Sequence, residues 1–79
     1  MKPSEGRIVH YTNLGDKDGK YPPQVVPAMV TRVNDDGSCA LKAFYTTGIF
    51  DMPNVNQAPA GIVAGTNEAR GLWQWPKQV

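Results

Sequence analysis

Seven side chains spread along the 79 residues are of types that grip a planar, partly anionic molecule: His10, Tyr11, Tyr21, Arg32, Arg70, Trp73 and Trp75. Aromatic faces stack on flat rings, arginine forks hold phosphate or ribose oxygens, and a histidine hydrogen-bonds through either ring nitrogen. The same residue types also serve small β domains as core aromatics and solvated cations. Arg32 stands out because in a regular strand it shares a face with Val30, so its stem can pack while its guanidinium meets a partner. Arg70 is the second candidate, since a cation beside an indole is a common ligand clamp.

Reaction chemistry is poorly represented. His10 is the sole histidine and Cys39 the sole cysteine, and no Ser/His or Cys/His motif with the spacing of a known nucleophile family surrounds Cys39, Ser4 or Ser38. No catalytic residue is expected, and the chain reads as a non-enzyme. One histidine and one cysteine do not make a closed zinc site without two carboxylates. The run Gly15, Asp16, Lys17, Asp18, Gly19 superficially resembles a calcium loop, but it lacks the closing glutamate and a third acidic position, and Lys17 sits between the ligands. Neither glycine-rich phosphate motif occurs. No metal and no cofactor is expected.

The elements that must position these side chains are short strands. The run 27–33 (Pro-Ala-Met-Val-Thr-Arg-Val) and the run 39–45 (Cys-Ala-Leu-Lys-Ala-Phe-Tyr) flank a polar cluster containing Asp36-Gly37, which predicts a hairpin because Gly37 takes positive φ without steric cost. Residues 6–12 predict a first strand. Residues 13–23 carry Asn13, Gly15, Asp18-Gly19 and Pro22-Pro23 and predict a long loop. Residues 49–52 predict a short edge strand that Pro53 stops. Thr66 as cap and Gly71 as stop bracket one helical or 3₁₀ turn. Trp73 and Trp75 are two residues apart, so an extended tail places both indoles on one face, with Leu72 and Gln74 on the other. That tail is expected to close the sheet as its last strand, Pro76 marking its end, with one indole in the core and one at the rim.

No apolar period of 3.6 is sustained and there is no internal repeat. About five short strands in one domain, 1–79, predict an all-β fold, a small SH3-like antiparallel barrel with an OB-like barrel as the alternative. The formal net charge of +1 gives no overall pull toward nucleic acid or an anionic membrane. The first residues lack the apolar stretch of a secretion signal, and no run approaches the length of a membrane span. A soluble, intracellular protein is expected. A core this thin, with no disulfide or metal, favours a homo-oligomer.

Three motifs, Gly-Arg-Ile-Val-His-Tyr at 6–11, Pro-Ala-Met-Val-Thr-Arg-Val at 27–33 and Trp-Gln-Trp-Pro at 73–76, resemble a family of small proteins encoded by bacteriophages and prophages, mostly of unassigned function. The resemblance implies an accessory phage protein acting in the host cytoplasm. By analogy of type it is similar to phage anti-defence sponges that sequester host immune nucleotide signals, cyclic dinucleotides or ADP-ribose derivatives. A structural or protein–protein module, either a virion component or an inhibitor docking on a host protein, is the alternative.

Overall fold

The computed structural model describes residues 3–14 and 23–76. Five strands among them close into a barrel: β1 (Ile8–Thr12), β2 (Val25–Val33), β3 (Cys39–Tyr45), β4 (Gly48–Gln57) and β5 (Leu72–Gln74), with a 3₁₀ turn, Asn67–Ala69, before β5. β1 to β4 follow one another as an antiparallel meander, and β5 returns to pair antiparallel with β1 and parallel with β4. The all-β expectation of a small SH3/OB-like barrel holds. No helix among the described residues is long and apolar enough to cross a membrane.

Period-2 patterning explains what faces inward. Val9 and Tyr11 of β1, Val26, Ala28 and Val30 of β2, Cys39, Leu41 and Ala43 of β3, Val55 of β4 and Trp73 of β5 form one buried cluster. Trp73 is its largest fully buried side chain. Cys39 is a free, buried thiol, and burial pushes its pKa up, with the Glu5 carboxylate adding to the effect.

The predicted hairpin forms with Gly37 at φ 91°. The Asn34 amide donates to Ser38 O at 2.8 Å and the Gly37 amide to Asn34 O at 3.0 Å. Asp36 Oδ1 accepts from both the amide (3.0 Å) and the hydroxyl (2.6 Å) of Ser38. This turn is built from its own side chains, the local competition that makes Asx residues turn formers.

Three local expectations are corrected. Val30 and Arg32 do not share a face, because the β2–β3 register shifts between them: Val30 opposes Leu41, Arg32 opposes Ala40, and Thr31 is the extra residue of a bulge. An extra residue reverses the alternation beyond it. Val33 therefore opposes the buried Cys39 and packs against the core, while Arg32 is exposed. Thr31 donates its hydroxyl to Ala40 O across the bulge at 3.1 Å.

Nor does Pro53 stop β4, which runs on to Gln57. The β3–β4 register shifts between Cys39 and Leu41, so that Pro53 and Asn54 of β4 lie against the single residue Ala40. A proline's missing N–H is tolerated at a bulge. Asn34 Nδ2 donates to Pro53 O at 3.0 Å and to Asn54 Oδ1 at 3.2 Å, tying this irregularity to the β2–β3 turn. Finally, the 3₁₀ turn begins after Thr66 as expected, but the Thr66 hydroxyl donates backward to Val63 O at 2.6 Å and caps no amide.

Candidate functional site

The β1–β5 register builds the site. It sets Tyr11 opposite Trp73 and His10 opposite Gln74. Alternation sends the first pair into the barrel and the second onto its outer surface. Tyr11 is buried, and burial foremost, then the neighbouring Tyr45, raises its phenol pKa. Trp73 is 0% exposed, and Trp75 packs on it edge-to-face with ring centroids 5.4 Å apart and planes at 90°.

The outer pair is roofed by residues 58–66, which carry the chain from β4 toward β5. Three hydrogen bonds fasten this segment over β1 and β5. The Ala58 amide donates to Trp73 O at 2.8 Å, the Gly65 amide to Thr12 Oγ1 at 3.1 Å, and Gln74 Nε2 to Ile62 O. Gly61 (φ 93°) and Gly65 (φ 84°) give the backbone the left-handed conformations that let it fold back. Between roof and sheet lies a cleft of about 450 Å³ lined by His10, Ile62, Val63, Ala64, Gln74 and Trp75. That volume suits a small organic ligand.

Three polar atoms in this neighbourhood are buried without a hydrogen-bond partner among the described residues: Gln74 Oε1, Trp75 Nε1 and Trp73 Nε1. Leaving a buried donor or acceptor unsatisfied costs about 1–3 kcal/mol, and such atoms call for an explanation. Because its Nε2 end is committed to the Ile62 carbonyl, Gln74 has a fixed amide orientation, and Oε1 is the acceptor left over. No protein-family model, no curated protein and no solved structure matches this chain. What the site does must therefore be argued from its chemistry.

Of the seven side chains singled out by type, the structure brings His10 and Trp75 into one cleft. Tyr11 and Trp73 lie in the core beneath it. Arg32 is exposed at the β2–β3 end and Arg70 is exposed after the 3₁₀ turn, and neither belongs to the cleft's described lining. Tyr21 and most of the 13–23 loop lie outside the described residues. Gln74 and residues 62–64 were not singled out by residue type. The available signal was Gln74 on the strand face opposite Trp73, but its opposition to His10 depends on a register between strands more than 60 residues apart.

A second hollow of about 450 Å³ lies at the β3–β4 turn, lined by Tyr45, Thr47, Phe50, Asp51 and Met52. Tyr45 and Phe50 meet edge-to-face with centroids at 5.0 Å. Phe50 is 50% exposed and Ile49, on the opposite face of the strand, 62%. Beside them Lys42 and Asp51 form a cross-strand pair at 2.8 Å, an exposed contact worth little to stability.

Proposed function

We propose that the protein is a non-enzymatic binder that holds a small nucleotide-derived molecule in the cleft between His10, Gln74 and Trp75. The observation that carries this reading is the Gln74 amide oxygen, buried with no donor among the described residues, on a side chain that lines a ligand-sized cleft. A buried acceptor of this kind marks where a ligand's polar group belongs. The half-buried indole of Trp75 supplies an aromatic wall, and His10 a hydrogen-bonding group whose two nitrogens differ in role. The resemblance to phage-encoded proteins supplies the setting, sequestration of an immune nucleotide signal in the host cytoplasm by a homo-oligomer. Binding without turnover suits a chain with no nucleophile–base pair of known spacing.

Calorimetry against cyclic di-GMP, 3′,5′-cyclic AMP, 5′-AMP and ADP-ribose tests the reading. One of them is expected to bind and to be recovered unmodified after denaturation, while Trp75→Ala loses most of the affinity. If none binds, the reading falls.

The exposed Ile49 and Phe50 favour a second reading, in which the β3–β4 hairpin docks on another protein. Phe50 beside the apolar hollow, with Ile49 exposed on the other face of the same hairpin, gives this tip apolar side chains for a partner to cover.

A further inference from the structure

We infer that the cleft reads the base of its ligand through an exocyclic amine donated to Gln74 Oε1, and leaves the phosphate unread. This deepens the nucleotide-binding reading and rests on it.

Hydrogen-bond polarity carries the argument. Gln74 Nε2 is occupied by Ile62 O, so the amide has only its acceptor to offer a ligand, while the unpaired Trp75 N–H suits a ring nitrogen or carbonyl of the same base. A phosphodiester or fully ionised phosphate has acceptors only, and set against Gln74 Oε1 it meets a second acceptor. An amino group on adenine, guanine or cytosine donates, and its ring is planar enough to lie along the Trp75 indole. Charge points the same way. His10 is the single basic side chain in the cleft's described lining, and Arg32 and Arg70, the guanidiniums suited to phosphate, lie outside it.

Gln74 Oε1 is also sealed from solvent, so a donor reaches it only when side chains around the cleft shift to admit it. Val63, at the crest of the roof, is exposed. The Gln74-to-Ile62 bond stays in place and holds the amide orientation, and the ligand's amine satisfies the oxygen that the unliganded form leaves unpaired.

The test uses the native protein and pairs of ligands differing by one donor. Whichever of adenosine, guanosine and cytidine binds most tightly by calorimetry is compared with its analogue lacking the exocyclic amine: purine riboside, inosine or 2-pyrimidinone riboside. A site that hydrogen-bonds a ligand group discriminates strongly against the analogue without it, so a loss of at least about ten-fold is expected, and ribose 5-phosphate should give no measurable binding. Gln74→Met, of similar volume, is expected to abolish the discrimination while retaining a cooperative melting transition. Equal affinity for a nucleoside and its deamino analogue would overturn the inference, as would ribose 5-phosphate competing with the nucleoside. If the nucleosides fail while cyclic di-GMP or ADP-ribose binds, base reading is wrong and the nucleotide reading stands. If no nucleoside and no nucleotide binds, both fall.

Discussion

Trp73 illustrates how a residue chosen for binding chemistry becomes architecture. Its indole packs in the barrel core at 0% exposure while its N–H has no partner among the described residues. The side chain therefore acts through packing, and Trp73→Ala should cost about 3–5 kcal/mol, a large share of the roughly 4–12 kcal/mol that a domain of this length commands. Trp73→Phe, which removes an N–H that no described residue satisfies, should cost clearly less. Urea denaturation of both variants checks the ordering, and equal losses would mean that the N–H is bonded after all. Asp36 gives a pH prediction. Hydrogen bonds from the Ser38 hydroxyl and amide hold its carboxyl below the usual carboxylate value. A depressed folded pKa contributes stability above the unfolded pKa and loses it as pH falls through the folded one. The stability gap between the native protein and Asp36→Ala should accordingly be constant near neutrality and shrink below about pH 4. A gap that persists undiminished at lower pH would place the effect elsewhere.

At the scale of elements, the β2–β3 hairpin was legible because its signal is local: Asp36-Gly37 between two apolar runs needs no knowledge of the rest of the chain. The bulges at Thr31 and at Pro53-Asn54 were not, since each is a compromise in register with a neighbouring strand. They decide what Arg32 faces and how far β4 extends. The roof over the cleft is equally a product of packing, and Gly65 is its most constrained point. With φ at 84°, a Cβ there would also stand 3.3 Å from Val25 Cγ2. Gly65→Ala is therefore expected to destabilise the fold by about 1–2 kcal/mol through left-handed strain, and to weaken ligand binding by displacing the latch at Ile62. A melting temperature that does not fall would show that the roof tolerates a side chain, and its role as a shaped cover would be in doubt.

For the whole molecule, closure is the governing event. β5 contributes only three residues, yet it joins β1 and β4 and inserts the largest core side chain. The barrel thus depends on contacts between its two ends, whose loop-closure cost must be met before Trp73 is buried. The opposite region, at the β3–β4 turn, carries the exposed Ile49 and Phe50. If the molecule self-associates or docks through that tip, Ile49→Lys with Phe50→Glu should shift sedimentation toward a monomer or abolish partner capture. Stability should fall only modestly, by about 0.5–1.5 kcal/mol from the lost Tyr45–Phe50 contact. An unchanged sedimentation profile from a native oligomer would remove the hairpin from the interface.

The sequence by itself determined the class of fold, the hairpin turn and the turn between Thr66 and Gly71; the common face it predicts for Trp73 and Trp75 is lost because β5 ends at Gln74 and Trp75 joins Gln74 in the cleft. The first three rest on interactions within a few residues or on the period of two along a strand. Only the tertiary structure decided that Trp73 is core while Trp75 lines a cleft, that Arg32 points away, and that Gln74 stands beside His10 with an unpaired oxygen. The physical reason is register. A shift of one residue exchanges inside for outside along a whole strand, and the register between β1 and β5 is fixed by how side chains from both ends of the chain fill one small core.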